Sequence, residues 1–241
     1  MNRINTSISI DRREFLRIAA LCGFSTVLGG CGSSAGDGTV GKLFEPLNEK
    51  VESLLFDPKR LSPVFPPSAI QPNALIINTA EQTTPLIDRD TYRLKLGGKV
   101  SQPVLLSMPQ IEAMAATSMI IRHVCVEGWA AIVQWGGVPL AELARLVVPD
   151  KTVRFVFFGS YGGTYYETWD IASALHPQTI LAYSKNGKPL AAENGAPLRL
   201  ASPIKLGYKQ SKWVTEISFL EYLPEKKGYW EDLGYEWYGG T

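Results

Sequence analysis

The chain has 241 residues, with 24 Lys and Arg against 23 Asp and Glu, a formal net charge of +1. That balance argues against nucleic acid or a polybasic membrane patch as the main partner. The length allows one sizeable core and one domain once a leader is set aside.

The leader comes first. Asp11-Arg12-Arg13-Glu14-Phe15-Leu16-Arg17 precedes an apolar run of 11 residues, Ile18 to Leu28. A membrane-spanning helix needs about 20, so residues 1–30 read as an export signal, and the paired arginines resemble a twin-arginine signal. The competing reading is an ordinary secretory signal. Leu28-Gly29-Gly30-Cys31 resembles a lipobox, which would lipidate Cys31; the alternative is a plain cleavage site. Residues 31–41 then form a flexible tether and residues 42–241 the domain. With the four basic and two acidic residues of the leader removed, 20 basic and 21 acidic side chains remain. Cys22 leaves with the signal and Cys31 takes the lipid, so Cys125 is the one thiol of the folded part. A bare thiol in an oxidising compartment needs burial or a metal to protect it.

Leu43 to Phe56 has helical spacing of apolar residues, ended by Asp57-Pro58. Leu61 to Pro72, with four prolines, predicts an extended strap. Tyr92, Leu94 and Leu96 alternate with Arg93 and Lys95, a half-buried strand that turns at Gly97-Gly98. Ser107 to Ala116 predicts a helix capped by Ser107 with Pro109 just inside. Met119 to Val126 predicts an apolar strand carrying the cysteine, and Pro139 to Val147 a second helix. Val153 to Phe158 is an apolar strand, Gly159 to Gly163 a break, and Thr164 to Trp169 a further strand. Asn186-Gly187 between Ile180–Tyr183 and Pro189-Leu190 signals a hairpin. Trp213, Thr215, Ile217 and Phe219 alternate on one face of a last strand. Irregular mixing of strands with short helices predicts an α+β fold.

Three ordered motifs carry the chemistry. They are Arg122-His123-Val124-Cys125-Val126-Glu127-Gly128-Trp129 with Trp135-Gly136, Asn194-Gly195-Ala196-Pro197-Leu198-Arg199, and Lys205 to Trp213. Together, over about Asn78 to Phe219, they closely resemble the sulfite oxidase superfamily of molybdenum enzymes, and within it the periplasmic protein-methionine-sulfoxide reductases. Gly228-Tyr229-Trp230-Glu231 and Gly234-Tyr235 resemble the end of such a domain.

The resemblance implies a sulfite-oxidase-type domain with a molybdenum-molybdopterin cofactor and Cys125 as its thiolate ligand. It also implies cofactor contacts at Asn78, Ser160, Asn194, Arg199, Gln210, Ser211 and Lys212, Arg199 and Lys212 serving the pterin phosphate. Lys205 and Lys209 read equally as cofactor contacts or a solvated basic face, His123 and His176 as structural, and Glu127 as a buried carboxylate bonded to backbone amides. Trp129 and Trp135 read as core, with Trp129 near enough to line a pocket, and Tyr161 and Tyr165 as weaker rim candidates. Sulfite-oxidising members of the superfamily place basic residues just after the cysteine, whereas Val126-Glu127-Gly128 follows it here. The implied activity is therefore oxygen-atom transfer from a sulfoxide or related oxo-donor, small or protein-bound. Sulfite oxidation and non-catalytic binding by an anchored protein are the alternatives.

The chain shows no Cys-x-x-Cys-His haem site and no dinucleotide fingerprint, so electrons are expected from a separate membrane haem or quinone-linked partner. Neither a haem domain nor the C-terminal dimerisation domain of some members is expected, which makes a monomer the default. The expected location is the periplasm or the outer face of the cytoplasmic membrane, with the lipid on Cys31 as the one membrane contact.

Overall fold

Alternation in Arg93–Gly98 (β1) buries Leu94 and Leu96 and leaves Arg93 and Lys95 in solvent. The structure is a computed structural model; it describes residue 51, residues 56–80 and residues 82–241. These belong to a compact unit, Gly41–Thr241. The leader, the tether and nearly all of the helix expected over Leu43 to Phe56 lie outside the described residues.

The fold is α+β, as expected. Two five-stranded sheets are made from β1, β2 (Val104–Ser107), β3 (Thr117–Val124), β4 (Ala130–Pro139), β5 (Phe155–Ser160), β6 (Tyr166–Asp170), β7 (Ile180–Lys185), β8 (Lys188–Pro189), β9 (Arg199–Ala201) and β10 (Val214–Leu220). One sheet has the order β2-β1-β10-β5-β6, and only its β1–β10 pair is parallel. The other has the order β3-β4-β7-β8, with β9 paired to β7. Among the described residues the α-helices that follow β2 in the chain are short: α1 (Met108–Glu112), α2 (Leu140–Val147) and α3 (Ile171–Ala174). They cover a core in which Leu94, Leu96, Leu143, Val156, Phe158, Ile217 and Phe219 are fully buried. A smaller cluster around Ile121, Val133, Trp135 and Ile180 belongs to the second sheet.

Several elements match their predicted form. Asn186 (φ 52°) and Gly187 (φ 73°) close the β7–β8 hairpin with both residues left-handed, which a primed two-residue turn requires. The proline-rich strap is tied down by its backbone: Phe65 N donates to Ile120 O (2.9 Å) and Gln71 N to Ile132 O (3.0 Å).

Others differ. The first helix ends at Glu112 instead of Ala116, because Thr117 is already paired with Gly137. The strand expected over Met119 to Val126 runs from Thr117 to Val124, so Cys125 lies one residue past its end. There Cys125 N donates to Trp129 O (2.9 Å) and Gly128 N to Cys125 O (3.1 Å). Gly128 takes the φ of +89° that this turn needs. The cysteine thus sits in the reversal between β3 and β4. In β10 a register shift between Val214 and Glu216 breaks the alternation, so Val214 is buried with Ile217 and Phe219, and Thr215 is only half-buried.

Candidate active site

The reversal that carries Cys125 forms one wall of a cavity of about 500 Å³. Residues 75–80, which follow the strap, 193–199, 207–213 and the returning C-terminal segment supply the rest. Six of the eight predicted site residues line it: Asn78, Cys125, Asn194, Arg199, Gln210 and Lys212. Ser160 and Ser211 do not. Both are buried beneath the wall, and their hydroxyls have no hydrogen-bond partner among the described residues. The Ser211 carbonyl instead pairs with Leu200 N (2.8 Å), which turns that residue into the scaffold.

The second wall is cationic. Arg199, buried at the start of β9, stacks its guanidinium 4.6 Å from the centre of the Trp135 ring. Its Nη1 donates to Asn194 O (3.1 Å) and its Nε to Leu200 O (3.2 Å). Lys212 Nζ donates to Asn78 O (2.6 Å) and Glu193 O (3.3 Å) and lies 4.6 Å from the Trp213 ring centre. Neither cation forms an ion pair among the described residues. Burial pushes Arg199 down to about 10, and burial together with the Arg199 charge pushes Lys212 down to about 7. Two desolvated cations aimed at one hollow without an acid partner make a receptor for an anion. The Gln210 side chain is committed elsewhere: its Nε2 donates to Ser202 O (2.9 Å) and Lys205 O (2.7 Å), and its Oε1 accepts from Ser202 N (3.2 Å). Gln210 therefore shapes the 202–205 loop.

One consequence is a proton linkage. Lys212 is only partly protonated near neutral pH while the cavity lacks an anion, and a bound phosphate restores the charge. Calorimetry of inorganic phosphate binding to cofactor-free protein at pH 8, in buffers of different ionisation enthalpy, is expected to show proton uptake that Lys212→Met removes. The folded pKa lies below the unfolded one, so the unfolded chain binds more protons between about 7 and 10.5. Cofactor-free stability accordingly rises with pH across that window.

The thiol wall is organised by Glu127. Its Oε2 accepts from Asn78 Nδ2 (2.6 Å) and Trp129 Nε1 (2.9 Å), and the Cys125 thiol points to it at 3.7 Å. Glu127 is therefore exposed and held by side chains, not buried among backbone amides as its sequence context indicated. The Trp129 and Asn78 hydrogen bonds keep its pKa below the ordinary carboxylate value. Burial pushes the Cys125 thiol up, and the Glu127 charge adds to this. His123 is buried behind the turn, its ring 6.0 Å from that of Trp129, and burial drives it down to about 3, so it is neutral.

The C-terminal return brings Trp230 and Tyr235 into the lining, where the sequence marked them only as the end of a domain. Tyr165 lines the cavity; Tyr161 is exposed outside it. Lys205 and Lys209 are not a solvated face. Both are buried, Lys205 Nζ donating to Tyr238 O (2.6 Å) and Lys209 Nζ lying against Glu167 and Glu231.

These residues fit the implied cofactor. The Arg199–Lys212 pair suits a buried phosphate, and Cys125 offers a soft donor in the same lining. Among the described residues no group of three or more His, Cys, Asp or Glu gathers as a metal site.

Comparison with known proteins follows the same direction. The family described as the oxidoreductase molybdopterin binding domain matches residues 81–230. A subunit from Azospira oryzae, provisionally named protein-methionine-sulfoxide reductase subunit YedZ1, is 36% identical over 95% of this chain and 88% of its own length. The protein-methionine-sulfoxide reductase catalytic subunit MsrP of Xanthomonas axonopodis pv. citri is 37% identical over 61% of this chain. The matched part is 50% of that MsrP's length. The sulfane dehydrogenase SoxCD of Paracoccus pantotrophus superposes with a TM-score of 0.54 at 18% identity, over 58% of this chain and 40% of its own, a likeness of fold.

Proposed function

This chain belongs to the oxidoreductase molybdopterin binding domain family, and from that premise we propose that it removes an oxygen atom from a neutral oxo-donor, a sulfoxide first. It is a molybdopterin-dependent oxidoreductase, and its cofactor is molybdenum-molybdopterin. When bound, that cofactor supplies two-electron redox chemistry, and the protein supplies binding, orientation and electrostatics. Cys125 holds the metal, Arg199 and Lys212 hold the phosphate, and Asn78 and Asn194 close the cradle through their contacts with those two cations and Glu127.

The observation that carries the substrate class is Glu127. A carboxylate 3.7 Å from the thiol, with its pKa held low, repels an anion such as sulfite at neutral pH. Exposed Ile76, Ile77 and Val126 give the mouth apolar surface suited to a thioether. The names of the MsrP and YedZ1 relatives favour the same class. The test is steady-state turnover of purified holoprotein. Methionine sulfoxide with a reduced viologen is expected to be consumed, and sulfite with an oxidised carrier is expected to be left untouched. Turnover of sulfite alone would reverse the assignment.

Electrons come from a separate membrane haem or quinone-linked protein, and the enzyme works as a monomer. It works outside the cytoplasmic membrane, delivered by the twin-arginine signal and tethered through Cys31. Among the described residues no helix is long and apolar enough to cross a membrane. Arg12→Lys with Arg13→Lys is expected to leave the precursor inside the cell in a fractionation blot; normal export of that variant would favour the ordinary secretory reading.

A further inference from the structure

Beneath the Tyr165 side of the cavity lies a buried charge cluster that the cofactor and substrate sites do not use. Lys209, 0% exposed, has its Nζ 2.5 Å from Oε2 of Glu167, also 0% exposed, and against Glu231. Glu231 Oε2 is buried and receives no hydrogen bond among the described residues, whereas Glu167 Oε2 is held by the Lys209 ammonium. They converge on one spot: a Cβ added at Gly228 would sit 2.0 Å from Glu231 Oε2 and 3.0 Å from Glu167 Oε2. Two buried carboxylates against one ammonium leave an excess negative charge that burial does not tolerate. One proton between them makes the cluster neutral and gives the Glu231 oxygen a partner. Burial raises Glu167 well above the usual carboxylate value despite the Lys209 charge, consistent with that count. The cluster reaches the cavity in one step: Tyr165 Oη lies 3.4 Å from Glu167 Oε1, and the same tyrosine lines the wall.

We propose that Glu231, Glu167 and Tyr165 form a proton relay that feeds the cavity, with Lys209 keeping the carboxyl pair one proton short of full protonation. This rests on the oxo-donor reading above. Reducing a sulfoxide breaks one S–O bond and forms the two O–H bonds of water. It consumes two protons, and two electrons from the external donor protein or a reduced viologen. At rest Tyr165 Oη faces Glu167 Oε1 as the donor; a half-turn of the Glu167 carboxyl brings its proton to that position, and the phenol takes it as it gives its own proton to the cavity. Glu231 then re-protonates Glu167, and Glu231 is refilled from solvent beside the exposed Asp232. The transfers are concerted, since burial holds the Tyr165 phenol well above its ordinary pKa and disfavours a free phenolate.

Two measurements on holoprotein test it. Infrared spectra at neutral pH are expected to show a carboxylic-acid C=O stretch that shifts in D2O and disappears in both Glu167→Gln and Glu231→Gln. In sulfoxide turnover, Tyr165→Phe is expected to lower kcat by about 100-fold, to leave KM near that of the parent, and to enlarge the solvent isotope effect. Tyr165 also donates to Tyr208 O, but loss of that structural bond alone would not change an isotope effect. A parent spectrum without the band, or a Tyr165→Phe enzyme with unchanged kcat and isotope effect, overturns the relay. If the parent turns over no oxo-donor at all, the functional reading fails, and a missing band in the infrared arm still overturns the relay.

Discussion

Cys125→Ala is expected to abolish turnover and leave a folded protein. The thiol sits in the β3–β4 reversal, whose geometry is set by backbone bonds between Cys125, Gly128 and Trp129. None of these needs the sulfur. The side chain is part-exposed, and it approaches the Glu127 carboxylate at 3.7 Å. Truncation there costs about 0.5 kcal/mol or less, so the thermal midpoint should stay within a few degrees of the parent. Activity is another matter. The thiolate is the one donor to the metal proposed from this chain, and an alanine offers no replacement. In the cofactor-free protein, burial keeps this group a thiol; a metal ion displaces the proton and reverses that preference. Loading of the parent should therefore release a proton that loading of the variant does not. The phosphate receptor, Arg199 and Lys212, belongs to other segments, so the variant should still retain pterin. Sulfoxide turnover, thermal melts, proton release on loading and pterin content check the four expectations separately. Full turnover by Cys125→Ala would remove the thiol from the site.

Legibility of the fold followed local signals. Tyr92, Leu94 and Leu96 are readable because one face of β1 is buried and the other solvated. Asn186-Gly187 is readable because few residue pairs accept two left-handed conformations in succession. β4 was missed as a strand for the opposite reason. From Trp135 onward it has no alternation, since Trp135, Gly136, Gly137 and Val138 are all buried. Its two glycines look like a turn, yet Gly137 is required because a Cβ there would lie 1.9 Å from Leu181 O across the sheet.

The site shows the same division. Cys125, Asn194, Arg199 and Lys212 stand in contiguous motifs, and all four line the cavity. Trp230 and Tyr235 arrive from far along the chain, and nothing in their neighbours marks a return to the reversal at Cys125. Ser160 and Ser211 stand where the resemblance puts cofactor contacts, but both are buried and outside the cavity lining. Lys209 was the least legible. A lysine between Tyr208 and Gln210 resembles a solvated base, and only its tertiary pairing with Glu167 and Glu231 makes it interior.

That pairing carries the largest expected effect on stability. Lys209→Met is expected to destabilise the protein by about 3–5 kcal/mol at neutral pH, the range for breaking a buried charge network by removing one partner. For a domain of this size the midpoint would fall by roughly 10 °C. The apolar stem of the lysine is replaced by a side chain of similar volume, so the loss is electrostatic. Its pH dependence has a definite sign. Without Lys209 the buried Glu167 carboxyl loses the charge that opposed its desolvation, so its folded pKa lies further above the unfolded one. The folded state then binds more protons than the unfolded state, and stability falls as pH rises through that folded value. The deficit relative to the parent should shrink in acid and grow toward neutral pH. Adding Glu167→Gln and Glu231→Gln to Lys209→Met removes the stranded charge, and most of the lost stability should return. Thermal melts of the parent, single and triple variants from pH 5 to 8 check this. A single variant whose deficit is the same at every pH would show that packing around Lys209, and not charge, holds the segment from 228 to 235 against the cavity.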